Sequence, residues 1–163
     1  MRVGIGFDAH RFEKGRKLIL CGVDIPYDMG LLGHSDADCP LHALIDAMFG
    51  AAAMGDIGTH FPDRDEAYRG ISSMLLLKMA SDRLREKNFC VNNCDITIIA
   101  QKPRLAPYID RMRANIAEVL GIPLLHVSVK ATTTEGLGFT GRQEGIACLA
   151  TVSIREMDEE VKG

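Results

Sequence analysis

Val3, Ile5 and Phe7 alternate with small or polar residues, a period of two that predicts a short opening strand. Lys17 to Val23 reads as a second strand, closed by Asp24-Ile25-Pro26, with 27–37 as a loop carrying Gly and Asp. Leu41, Leu44, Ile45, Met48 and Ala52 then recur at helical spacing. They predict a helix from about Asp38 to Met54, with Asp38 as N-cap and Pro40 tolerated in the first turn. Gly55-Asp56-Ile57-Gly58 ends it, and Gly55 to Gly70 reads as loop. Ser72 or Ser73 caps a second helix through Leu75, Leu76, Met79 and Leu84 to about Lys87. Asp95 to Ala100 is a β-branched strand, and Pro107 opens a helix carrying Ile109, Met112, Ile116 and Leu120, with Gly121 at its end. Val127 to Ala131 is a strand, Thr132 to Gly145 a glycine-rich loop, and Ile146 to Ile154 the last strand. An acidic tail, Glu156 to Gly163, is expected to fray. Strands and helices mix without strict βαβ alternation. The expectation is a single α+β domain over 1–163, with one mixed sheet of about four main strands packed against helices.

Composition narrows the function classes. A hydrophobic share of 47% in 163 residues supplies one real core and excludes a mainly disordered chain. Lys and Arg total 19 against 22 Asp and Glu, a net charge of −3, so no nucleic-acid partner is expected. No apolar run reaches the roughly 18 residues of a membrane span, so no membrane partner is expected either. The first residues enter a strand pattern with no signal-peptide core, which points to the cytoplasm. Five cysteines (Cys21, Cys39, Cys90, Cys94, Cys148) with no C-x-x-C pair read as buried thiols, with a zinc knuckle as the alternative.

Candidate chemistry begins at Asp8-Ala9-His10. Residues two apart on an extended segment point to the same side, so a carboxylate and an imidazole converge. His42, early in the first helix, completes a one-carboxylate, two-histidine set of the composition found in catalytic zinc sites. The plain alternative is a turn-capping Asp8 and two unrelated histidines. Asp46 lies at i+4 from His42 on the same helix face, where it can orient the imidazole from behind or stand as a solvated carboxylate. The cluster His34-Ser35-Asp36-Ala37-Asp38 precedes the helix and fits either anion binding or capping and turn chemistry. Lys130-Ala131-Thr132-Thr133-Thr134-Glu135 enters the glycine-rich loop. Its hydroxyls, N–H groups and lysine can surround a phosphate, with Glu135 holding a hard cation, or it is a surface turn.

Taken in order, GFDAHRF, GHSDAD, GDIG-x-x-FPD, DITIIAQ-x-P, VKATTTE and GFTGR-x-EGIAC resemble the 2-C-methyl-D-erythritol 2,4-cyclodiphosphate synthase family, from Met1 to about Ile154. The resemblance is to the stand-alone form, with no cytidylyltransferase domain ahead of it. It implies a lyase of the non-mevalonate isoprenoid pathway that cyclises 4-diphosphocytidyl-2-C-methyl-D-erythritol 2-phosphate with release of CMP. It also implies a divalent metal, Zn2+, at Asp8, His10 and His42. It implies as well that Glu135 holds Mg2+ or Mn2+ with the substrate diphosphate and that His34 and Thr133 stabilise the transition state. Substrate contacts are implied for Asp8, His10, His34, Ser35, Asp56, Ile57, Gly58, Phe61, Asp63 and Asp65. They are implied likewise for Ala100, Pro103, Arg104, Leu105, Ala106, Thr132, Thr133, Thr134, Glu135, Phe139 and Arg142. The family assembles as a homotrimer with sites between neighbouring subunits. Two other classes remain beside it: a metal-dependent phosphohydrolase that activates water, and a non-catalytic binder of isoprenoid diphosphates or metal ions.

Overall fold

The computed structural model describes residues 1–62 and 64–157. Its central helix, α1 (Cys39–Ala51), is apolar on nearly every side, so it is buried rather than laid on a surface. Only His42, Asp46 and Gly50 escape full burial, at i, i+4 and i+8, which leaves one polar stripe on an otherwise core helix. Asp38 caps it as expected, accepting from the Leu41 N–H at 3.4 Å. The same buried carboxylate accepts from the N–H groups of Cys21 at 2.8 Å and Gly22 at 2.7 Å. Burial pushes its carboxyl up to about 7, against the pull of those N–H groups.

That double acceptance explains a departure from the expected second strand. Lys17 to Val23 is not one strand but a hairpin, β2 (Leu18–Leu20) and β3 (Val23–Ile25). Cys21 and Gly22 form its two-residue turn with φ of 49° and 71°, the left-handed pair that such a turn requires. A cysteine in place of the usual Asn or Asp hides the turn, and Asp38, far away in sequence, holds it. The expected loop 27–37 contains a further short strand, β4 (Met29–Leu31).

The main sheet runs β4-β1-β7-β5-β6, with β1 at Arg2–Lys14, β5 at Phe89–Ile99, β6 at Val127–Thr132 and β7 at Gly145–Glu156. Only β5 and β6 pair in parallel, which makes the sheet mixed. Glu156 pairs with Phe89, and the Met157 N–H bonds the Asn88 carbonyl at 2.9 Å. The chain is therefore ordered further than the expected start of the tail, and 158–163 lie outside the described residues. The expected loop 55–70 holds a four-residue helix, α2 (Ile57–His60), and a 3-10 turn, Glu66–Tyr68. Helix α3 spans Ser73–Glu86, and Ser72 caps it without a side-chain bond. The Asp36 carboxylate instead takes the Ser73 N–H at 3.0 Å. Pro107 sits in a 3-10 turn, Ala106–Tyr108, ahead of α4 (Ile109–Leu120), which ends at left-handed Gly121. A last short helix, α5 (Gly138–Gly141), interrupts the glycine-rich loop.

Helices cover one face of the sheet: α1 packs on β1 and β7, α3 on α1 and β5, α4 on β6 and α3. Among the described residues no helix is long and apolar enough to cross a membrane. On β1 the buried positions facing α1 are Gly4 and Gly6. The apolar set that marked the strand faces the other way. Val3, Ile5, Phe7 and, on β7, Leu149 are 67%, 71%, 56% and 39% exposed on the uncovered face. A Cβ on Gly4 would lie 2.0 Å from the Ala47 carbonyl oxygen, and one on Gly6 2.0 Å from that of Ala43. The helix backbone thus rests directly on the strand backbone.

Gly6→Val should lower unfolding free energy by at least about 3 kcal/mol, because the helix must lift off the strand to admit the side chain. Urea denaturation measures it, and an unchanged midpoint would show that the contact is not rigid.

Candidate functional site

Strand β1 presents Gly4, Gly6, Asp8 and His10 on its helix-facing side, since alternate residues share a face. Seating α1 on the glycines carries His42 to the same place. Asp8 Oδ2 lies 2.8 Å from His10 Nε2 and 3.2 Å from His42 Nδ1, and the two ring nitrogens are 3.2 Å apart. Behind the site, His10 Nδ1 sits 2.6 Å from the Leu32 carbonyl oxygen. A carbonyl only accepts, so Nδ1 carries the hydrogen and Nε2 turns a lone pair to the centre. His42 Nε2 is 3.1 Å from Ser35 Oγ and 3.0 Å from Ser73 Oγ, which leaves Nδ1 toward Asp8.

Asp8 Oδ2 is buried and meets hydrogen-bond geometry to neither ring, although both lie within ion-pair distance. Burial alone would raise its carboxyl. Hydrogens and positive charge on the two imidazoles, when they are protonated, outweigh that and hold it well below the usual carboxylate range; in the neutral rings the same nitrogens turn lone pairs to it. One carboxylate oxygen and two imidazoles converge where a positive charge fits, and the three atoms form a ligand group for a metal ion. A tetrahedral ion with bonds near 2.0–2.1 Å separates its ligands by about 3.3 Å, close to the spacing here. Three protein ligands leave a fourth position open, as in catalytic sites.

These atoms form one wall of a cavity of about 220 Å3 that Gly33, His34, Ser35, Asp46, Ile57, Gly58, Phe61 and Tyr68 also line. His34 Nε2 is buried there without a hydrogen-bond partner. Asp46 departs from the expected role behind His42. Both nitrogens of that ring are engaged elsewhere, and Asp46 Oδ1 accepts the Ile57 N–H at 2.7 Å. Burial raises the Asp46 carboxyl, while the Ile57 N–H pulls it down. The residues behind His42 are Ser35 and Ser73, with Asp36 bonded to the Ser73 hydroxyl. Ser73 carried no signal beyond a capping serine. Asp56 caps α2 through Thr59, whose N–H and hydroxyl hold its carboxyl low. Asp65 is exposed and caps the 3-10 turn through the Ala67 N–H, and it is not among the residues that line the cavity. Asp63 lies outside the described residues. His60 pins this segment: it stacks on Phe49 at 3.9 Å and bonds Met54 and Arg83.

A second cavity, about 560 Å3, opens at the ends of β5 and β6 and shares no lining residue with the first. Ala100, Pro103, Arg104, Leu105, Ala106, Thr132 and Thr133 line it, with Tyr27, which the sequence reading missed in its unmarked loop. The Thr133 hydroxyl donates to Glu135 at 2.8 Å, and Glu135 holds a left-handed φ of 53°, a strained setting typical of functional loops. Thr134 bonds Leu137 and Thr140, Phe139 is exposed, and Arg142 pairs with Glu144 at 2.8 Å. Four of the five cysteines are buried, Cys90 is half-buried, and all are free. Among the described residues the one His, Cys, Asp and Glu group close enough to hold a metal is Asp8, His10 and His42, so the cysteines form no zinc knuckle there.

The model of the YgbB family matches residues 1–155. A 2-C-methyl-D-erythritol 2,4-cyclodiphosphate synthase from Alkaliphilus metalliredigens is 62% identical over 154 residues, 94% of this chain and 97% of that protein. Among solved structures, a 2C-methyl-D-erythritol-2,4-cyclodiphosphate synthase in its CDP-bound form superposes with a TM-score of 0.87 at 32% identity, over 94% of this chain and all of the other. The bifunctional IspDF from Campylobacter jejuni superposes at 0.93 with 46% identity over 96% of this chain, which spans 42% of that longer protein.

Asp46→Ala should free the Ile57 amide and speed its hydrogen exchange, while metal affinity stays within about threefold of wild type. A 10–100-fold loss of metal affinity would restore Asp46 to the role behind His42.

Proposed function

The chain belongs to the YgbB family, that of the 2-C-methyl-D-erythritol 2,4-cyclodiphosphate synthases, and we propose that its two cavities divide one reaction between them. It is an enzyme of the non-mevalonate isoprenoid pathway. It cyclises 4-diphosphocytidyl-2-C-methyl-D-erythritol 2-phosphate to 2-C-methyl-D-erythritol 2,4-cyclodiphosphate and releases CMP. The observation that carries its metal dependence is the convergence of Asp8, His10 and His42 on one wall of the first cavity.

The nucleophile is the substrate's own 2-phosphate oxygen, already ionised, so no protein base is required. It bonds to the β-phosphorus as the bond from that phosphorus to CMP breaks. A divalent ion supplies charge neutralisation and alignment when bound, and Zn2+ suits the Asp8, His10 and His42 donors. His34 is read as a donor to an oxygen that gains charge, a reading supported by its Nε2, which is buried and has no hydrogen-bond partner. Ser35, Asp56, Ile57, Gly58, Phe61, Asp63 and Asp65 are read as the methylerythritol phosphate side. Ala100 to Ala106 and Thr132 to Glu135 take the cytidine and diphosphate, with Thr133 steadying the transition state. The volume and apolar wall of the second cavity suit a nucleoside. Glu135 is read as the Mg2+ or Mn2+ ligand, since a lone carboxylate suits an ion that leans on substrate phosphates. Phe139 and Arg142 complete the substrate contacts. Forcing one flexible substrate to bend across such a site is an entropy trap.

The assembly is read as a homotrimer, supported by the uncovered apolar strip of Val3, Ile5, Phe7 and Leu149. Free cysteines without a disulfide suit a reducing compartment such as the cytoplasm. Residues 1–163 are read as one synthase domain.

Incubated with its substrate, Zn2+ and Mg2+, the protein should yield CMP and cyclic diphosphate in equal amounts. His42→Ala should lose activity beyond the roughly 10–100-fold typical of changes behind a ligand, with its metal content falling in parallel. A linear product with free phosphate would assign a phosphohydrolase instead, and no turnover a binder.

Sedimentation should give a trimer. Mixed trimers of His42→Ala and Glu135→Gln protomers should regain activity, because some sites then combine two intact halves. Inactivity after proven subunit exchange would place each whole site within one chain.

A further inference from the structure

Both imidazoles at the metal group have a nitrogen turned away from it, and what each of those nitrogens meets decides where its hydrogen sits. For His10 the partner is the Leu32 carbonyl, which leaves no choice. For His42 the partners are hydroxyls, which donate or accept. Ser35 alone does not decide. Its Oγ accepts from the Ala37 N–H at 3.1 Å, and its own hydrogen remains uncommitted. Ser73 does decide. Its side chain is buried, and its one hydroxyl hydrogen goes to the Asp36 carboxylate. Toward His42, 3.0 Å away, Ser73 Oγ has only a lone pair to offer, so His42 Nε2 must bring the hydrogen. Nδ1 is then bare and faces Asp8 and His10.

We propose that Asp36, acting through the Ser73 hydroxyl, fixes His42 in the tautomer that leaves Nδ1 free to ligate a metal. Asp36 and Ser73 are thereby positioning residues of the site. The inference rests on the metal reading of Asp8, His10 and His42. It is selective for a carboxylate at position 36, because both oxygens are committed as acceptors. Oδ2 takes the Ser73 N–H at 3.0 Å, and Oδ1 takes the Ser73 hydroxyl and the Asp38 N–H at 3.3 Å. An amide has one acceptor oxygen. If that oxygen keeps the Ser73 N–H, the NH2 group faces Ser73 Oγ and turns the hydroxyl hydrogen toward His42. The imidazole then accepts at Nε2 and carries its hydrogen on Nδ1, where it opposes a metal. The Asp36 backbone is held in place independently, its N–H bonding the Ile71 carbonyl at 3.1 Å.

The test uses the whole protein, stripped of metal, with Zn2+ as the probe. Two-bond 1H–15N correlation spectra of the imidazoles read the tautomer, and competition with a chelator reads affinity. Wild type should show His42 protonated at Nε2. Asp36→Asn should move that hydrogen toward Nδ1 and weaken Zn2+ binding by about 10–100-fold. Ser73→Ala, which only removes a buried hydroxyl, should weaken Zn2+ binding by about tenfold and leave His42 in mixed tautomers, with Ser35 as its sole remaining hydroxyl partner. It also carries the test if Asp36→Asn does not fold. Wild-type ring shifts and affinity in the folded variants would overturn the proposal. A wild-type protein that takes up no Zn2+ would overturn the metal reading, while the ring shifts of the metal-free protein would still decide the tautomer claim.

Discussion

Where α1 crosses β1, no side chain separates the two backbones. The strand offers glycine at positions 4 and 6, and the helix offers the carbonyls of Ala47 and Ala43. Cys39 continues the same helical row, and its thiol reaches the Asp8 carbonyl at 3.2 Å. The alternation of the strand then places Asp8 and His10 on the face that carries those glycines. His42, next to Ala43, arrives beside them. An α1 held at an ordinary distance by a pair of larger residues would leave the imidazole short of the carboxylate. Packing and ligation are thus one geometric requirement, met by leaving atoms out of the strand.

The electrostatics of the site follow from what stands behind it. A carbonyl behind one imidazole and hydroxyls behind the other aim lone pairs at a common point, together with a carboxylate oxygen that lacks a hydrogen bond. With neutral rings such an arrangement is repulsive, and it is relieved by positive charge, whether protons on the rings or a metal ion. The polar stripe of α1 serves this cavity at two heights. His42 contributes to the metal group, and Asp46 ties down the start of α2 through Ile57. One helix face therefore holds both the charged centre and the segment at Ile57 that lines the cavity beside it.

Much of this was legible in the residues. The period of two placed Asp8 and His10 together, and the helical run placed His42 near the start of α1. The order of elements and the mixed sheet followed from ordinary patterning. What was hidden depended on partners distant in sequence. The Cys21–Gly22 turn is held by Asp38, and nothing local marks it. Asp46 at i+4 from His42 suggested a bond that the fold gives to Ile57 instead. Ser73 looked like a cap and proves to be a link between Asp36 and His42. The alternation of Val3, Ile5 and Phe7 marked a strand correctly but did not show which side was covered, because the covered side consists of glycine.

That last feature bears on how such a protein is probed. A survey that trims side chains one at a time looks for function in the atoms it removes. At the crossing of α1 and β1 there is almost nothing to remove, since the strand brings hydrogens and the helix brings methyl groups. The survey would pass over the place on which the metal group depends. Only substitutions that add volume reveal it, and they would register as folding defects rather than as losses at the site.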